Sequence, residues 1–231
     1  LNILNNLWLL AKTGNVEQGK SDFSKSFSLL IKLFIILILF KILYLALVLG
    51  IELSASVTIP KVANDLEFDN YNGLLKFTLV ALIAPILEEL TFRLGLKFSK
   101  TNVLFFIAGI TYIFLKIIIQ LEWYICLIMV AVITLLFSLV LKNKLLQKLK
   151  DFWKKNRLLL FYFLLFSFTF LHITNFKLDN AILIYLPLLM LPHLLAGFVF
   201  SYARLKSGIL LAICLHVLNN GLFALPLLLG D

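Results

Sequence analysis

The chain has 231 residues, of which 62% are hydrophobic and only 14% charged, with a mean hydropathy of +1.03. A water-soluble core of that size cannot hide so much apolar surface, so the solvent has to be lipid. A net charge of +9 in a soluble protein would point to nucleic acid, but here most lysines and arginines lie between apolar stretches, where they set membrane orientation, and no nucleic-acid partner is expected.

The apolar stretches recur at about 20 residues, the length of a spanning helix, and lack the alternation over about ten residues that a membrane barrel strand shows. The expected fold is therefore all-α, a polytopic transmembrane helical bundle. Residues 1–27 read as a cytoplasmic or interfacial tail, mixed in character and containing Gly14 and Gly19, that lies on the headgroups or is disordered. No signal peptide is visible in it, and the chain begins without Met, so the true N-terminus is expected to lie upstream. Seven spans follow: roughly Ser28 to Ile51, Leu74 to Leu96, Val103 to Ile119, Trp123 to Leu141, Leu158 to Phe176, Ala181 to Ala203 and Gly208 to Leu229. An acidic loop with Asp65, Glu67 and Asp69 separates the first two, and residues 28–73 form a unit of first span plus outer loop. Between the fourth and fifth spans, Lys142 to Arg157 carries Leu145, Leu146, Leu149 and Phe152 at helical spacing among lysines, a basic anchor lying on an anionic leaflet. Both cysteines, Cys126 and Cys214, fall inside apolar runs and behave as small hydrophobes.

Charge orients the bundle. With the N-terminus inside, the inner loops and span ends hold Lys12, Lys20, Lys25, Arg93, Lys97, Lys100, the seven basic residues from Lys142 to Arg157, Arg204 and Lys206. The outer ones hold Lys61, Lys76, Lys116 and Lys177, together with the acidic loop. That bias predicts N-in and C-out.

Ionisable side chains within a span cost about 2.5 to 3.5 kcal/mol each on insertion scales, so those that remain mark a polar cavity. The first group is Glu88, Glu89 and Arg93 in APILEELTFRLG. Glu89 and Arg93, four apart with the acid first, pair on one face, while Glu88 lies about 100° round the helix and is left to hold or move a proton. The second is Phe168 and His172 in SFTFLHITN, one turn apart, so that the ring walls the imidazole. The third is His216 and Asn220 in CLHVLNNG, again stacked, where an imidazole and an amide can bind a metal or donate to an oxyanion. At about 1.5 Å per residue, Glu88 lies about 18 Å in from Lys76, His172 about 22 Å from Arg157 and His216 about 15 Å from Lys206. In a core of about 30 Å all three fall near the middle. His193, after Pro192, reads as structural or pore-lining.

The succession EExxxR, FxxxH, HxxxN resembles the CPBP family, the CAAX protease and bacteriocin-processing group also called Abi proteins. The run SYARLKSGILLAICLHVLNN is also similar to that family's last two helices, with Tyr202, Arg204 and Gly208 expected in the loop before His216. The resemblance covers residues 74–231, apart from an inserted span pair and basic segment at about 103–157. It implies an intramembrane endopeptidase acting on a membrane-associated or lipidated protein or peptide. In it Glu88 and His172 activate water, His216 and Asn220 stabilise the oxyanion, and Glu89, Arg93 and Phe168 give structural support. It leaves open a metalloprotease, with zinc on Glu88, His172 and His216, and a glutamate-type enzyme without metal. The alternatives are a catalytically silent membrane adaptor or immunity protein of the same fold, and a transporter, which the lack of repeats and broken half-helices at matching positions disfavours. The expected location is a bacterial inner membrane.

Overall fold

The computed structural model describes residues 2–19, 22–60, 71–176 and 180–228. Among the described residues every regular element is helical. We number the helices α1 (Asn2–Thr13), α2 (Phe23–Ala55), α3 (73–96), α4 (Lys100–Ile118), α5 (Trp123–Val140), α6 (Asn143–Lys155), α7 (Arg157–Asn175), α8 (Asn180–Ser207) and α9 (Ile209–Leu228). Helices α2, α4, α5, α7, the 182–207 stretch of α8, and α9 are long and apolar enough to cross a membrane, and the protein is an integral membrane protein with a polytopic helical bundle.

The remaining expected span is α3. It stays helical throughout, but π turns at Leu79–Ile83 and Glu89–Arg93 and a 3-10 turn at Leu94–Leu96 break it into short pieces, and it carries Glu88, Glu89 and Arg93. A helix so interrupted survives in lipid only when neighbouring helices satisfy its freed backbone groups, and α4, α7 and α9 all pack against α3. The outer acidic loop, with Lys61, Asp65, Glu67 and Asp69, lies outside the described residues, as do Lys20, Lys177 and Leu229.

One apolar core joins Leu33 and Leu37 of α2, Phe92 of α3, Phe161 and Phe168 of α7, Val199 and Phe200 of α8, and Ala212 and Leu215 of α9. Helix α1 belongs to the same core. Leu7 and Leu10 point inward while Leu4 and Trp8 stay exposed, so it is an ordered amphipathic helix rather than a loose tail. The Tyr162 hydroxyl donates to the Ala11 carbonyl at 2.9 Å. Gly14 closes the helix at φ +64, where a Cβ would meet the Arg157 carbonyl oxygen at 2.7 Å.

Several basic residues gather at one end of the bundle. Lys206 Nζ donates to the Glu17 carbonyl at 3.1 Å and Lys97 Nζ to Gln18 Oε1 at 3.0 Å, and Trp153 of α6 donates to the Gly95 carbonyl at 2.7 Å. Beside Arg204, the partly buried Lys97 ammonium is held below the ordinary lysine pKa, first by burial and then by the neighbouring charge. No residue of α6 is buried. One expectation is corrected: Tyr202 and Arg204 are not in a loop but in the last turns of α8, and only Gly208, at φ +113, separates α8 from α9. Arg204 is used there to satisfy a freed carbonyl, its Nε donating to the Arg93 oxygen at 3.2 Å.

Candidate active site

The three motifs converge. Glu89 is fully buried and Arg93 nearly so, with Arg93 Nε 3.5 Å from Glu89 Oε1. The same Glu89 oxygen accepts a hydrogen bond from His216 Nδ1 at 3.0 Å. An ionised carboxylate only accepts, so Nδ1 carries the proton and His216 Nε2 is turned toward Glu88, 3.7 Å from Oε2. Glu88, left unpaired by its own helix, therefore meets the His216 motif, and Glu89 is shared between Arg93 and His216 rather than paired with Arg93 alone. The Glu88 side chain is the more open of the two, 18% exposed against 0%. Its Oε2 has no hydrogen bond among the described residues.

Aromatic faces hold the cation. Arg93 Cζ lies 3.8 Å from the Phe168 ring centroid and 5.7 Å from that of Phe200, and its guanidinium nitrogens make no hydrogen bond among the described residues. Gly197 makes the stack possible, since a Cβ there would lie 2.8 Å from Phe168 Cδ1 and 3.0 Å from Arg93 Nη2. Phe168 also meets both imidazoles, with ring centroids 4.8 Å from His172 and 6.0 Å from His216. The FxxxH spacing thus does more than wall one histidine.

His172 opens the 3-10 turn that ends α7, and its Nδ1 bonds to the Phe168 carbonyl at 3.0 Å. A carbonyl only accepts, so Nδ1 bears a proton. Glu88, His216 and Arg93 are all close enough to act electrostatically on His172. Its ring stacks on His193 at 3.9 Å and 26°, which joins His193 to the site.

Asn220 is positioned by a defect in α3. In the first π turn the Ala84 N–H bonds back five residues to the Leu79 carbonyl, and Pro85 has no N–H to offer the next one. The Val80 carbonyl is thereby freed, and Asn220 Nδ2 donates to it at 3.3 Å. Asn219 Nδ2 donates in turn to Asn220 Oδ1 at 3.0 Å. One Asn220 N–H is therefore committed to the backbone and the other remains for a ligand.

Among the described residues no three His, Cys, Asp or Glu side chains converge as a metal-binding group. The donors of the expected zinc set are each oriented by another partner: His216 by Glu89, and His172 by its own helix and by His193. An imidazole whose Nδ1–H is held by a carboxylate or a carbonyl still has Nε2 to offer a ligand, so these contacts do not exclude an ion.

Motif reading misses Phe200, stacked on His216 at 4.2 Å, and Asn219, whose buried amide holds Asn220. Phe200 lies outside any spaced motif, and only the doubled Asn in CLHVLNNG hints at Asn219. It also passes over Lys41, a cation within the first span.

A family model described as type II CAAX prenyl endopeptidase Rce1-like matches residues 70–222, which include Glu88, Glu89, Arg93, Phe168, His172, His216 and Asn220. No curated protein and no solved structure matches the chain.

Proposed function

The chain belongs to the type II CAAX prenyl endopeptidase Rce1-like family, and from that premise we propose that it hydrolyses a peptide bond of a membrane-associated, lipidated protein or peptide, with Glu88 as the general base. The observation that carries this reading is the contrast within one motif. Glu89 is sealed between Arg93 and His216, while the adjacent Glu88 side chain is 18% exposed and turns Oε2 toward His216 Nε2 at 3.7 Å with neither oxygen claimed by Arg93.

In the proposed reaction a water lies between Glu88 and Nε2 of His172. Glu88 takes its proton as the oxygen attacks the scissile carbonyl, and the same proton passes to the leaving amine when the carbon–nitrogen bond breaks. Charge develops on the carbonyl oxygen. His216, held through Nδ1–H on Glu89, and Asn220, through its remaining N–H, stabilise it. Arg93 and Phe168 keep Glu89 and both imidazoles in register. No step is routed through a metal. We further propose an N-in, C-out orientation, supported by the basic helix ends that meet at one end of the bundle.

The test compares new protein termini, by mass spectrometry, in membranes from cells expressing the wild-type chain or Glu88→Gln at matched levels. Termini found only with the wild type support proteolysis and identify the substrate. Identical profiles, with both proteins folded, would favour a silent adaptor of the same fold.

A further inference from the structure

Lys41 has no part in the reaction above, and it lies outside the residues that the family model matches. At about 1.5 Å per residue it is roughly 27 Å from the start of α2 and 21 Å from its end. With α2 overhanging a hydrocarbon core of about 30 Å, the ammonium is still too deep for its stem to reach either headgroup layer. Its Nζ lies 3.2 Å from the ring centroid of Phe223 on α9. Among the described residues no carboxylate pairs with it, since the ion pairs there join only Glu88 and Glu89 to Arg93 and His216. A cation at such a depth is expensive unless an anion meets it there.

The surroundings show what kind of anion fits. Leu37, Phe40 and Lys41 of α2 face Pro192, Leu195 and Ala196 of α8 across a shallow groove that is apolar except for the ammonium. The residue after Pro192 is His193, whose ring stacks on His172, and Lys41 is near enough to act on His193 electrostatically. The groove therefore lies beside the site. Lipid phosphates stay at headgroup depth, whereas a peptide drawn along the groove carries apolar side chains and a single anionic group at its end.

We propose that Lys41 binds the C-terminal α-carboxylate of the peptide substrate, with the apolar walls of the groove holding the side chains next to it. The proposal rests on the endopeptidase reading for its substrate, but binding tests it independently of turnover. The probe is a synthetic peptide with a prenylated cysteine followed by two aliphatic residues and a final residue, made as the free acid and as the C-terminal amide. Affinity for each is measured with the full chain in phosphatidylcholine vesicles, in a Glu88→Gln background that holds the peptide intact.

With Lys41 present the acid binds about ten- to hundredfold tighter than the amide, the range for a charge-assisted hydrogen bond out of water. Lys41→Met, which keeps volume and removes the charge, brings that ratio close to one, and Lys41→Arg retains it. Equal binding of acid and amide by the Lys41 protein, or an acid preference that survives Lys41→Met, would overturn the proposal. So would a Lys41→Met defect that appears for both peptides only when phosphatidylglycerol is added, which would assign the cation to lipid phosphate. Turnover by the chain with Glu88 intact is scored separately. Acid-selective, Lys41-dependent binding without turnover would uphold the subsite and defeat the protease reading, and turnover without acid preference would do the reverse.

Discussion

Glu88 and Glu89 are neighbours in the chain with opposite surroundings. Glu89 holds both a guanidinium and an imidazole in a dry interior, so removing Arg93 leaves its buried charge uncompensated. Arg93→Ala is expected to lower stability by about 3–5 kcal/mol. Thermal melting in detergent and the yield of folded protein check it, and normal values would refute a structural role for the pair. Glu88→Gln should instead leave melting unchanged within error and reduce turnover by about 10²- to 10⁴-fold, the usual contribution of a positioned general base. The EExxxR spacing made the Glu89–Arg93 pair legible, because residues four apart share a helix face. It could not reveal that His216, 127 positions away, closes the network from α9.

The informative element is α3, whose irregularity is written in Pro85. Missing its N–H, the proline leaves the Val80 carbonyl without a partner in its own helix, and Asn220 takes it. Pro85→Ala restores a donor and lets the π turn relax toward α geometry, withdrawing the acceptor that aims Asn220. Turnover should fall about ten- to hundredfold, as small misplacements in a site do, with little change in melting temperature. A normal rate would show that Asn220 is positioned by something else. Packing between α7 and α8 predicts a different outcome. Gly197→Ala drives a methyl into Phe168 and Arg93 and should cost about 1–3 kcal/mol, measured by denaturation in mixed micelles. Periodicity locates helices and their faces, but a π turn shifts the register by one residue without altering the apolar pattern, so the broken course of α3 was not readable in advance.

At the scale of the whole molecule, the segment after α1, α6, the α3–α4 connection and the end of α8 meet at one basic end. If that end is cytoplasmic, a cysteine at position 150 in a background lacking Cys126 and Cys214 should resist a membrane-impermeant maleimide in intact cells. A cysteine at position 65 should react. The reverse pattern would invert the orientation. With Glu88 as the base and no metal in the proposed reaction, a strong zinc chelator such as phenanthroline should leave peptide cleavage within about twofold. Activity lost on chelation and recovered with zinc would mean that the donors rearrange to bind the ion.

The sequence by itself determined the solvent, the helical class, the basic amphipathic helix α6 and the motif residues that meet inside the bundle. Each depends on composition, length or spacing along one helix. Tertiary structure alone decided that His216 bridges two glutamates, that Arg93 rests on Phe168 beneath Gly197, that α1 completes the core, and that Lys41 looks into a groove beside His193. Those contacts join residues far apart in the chain, and their geometry follows from how helices rotate and cross once packed, which no local pattern encodes.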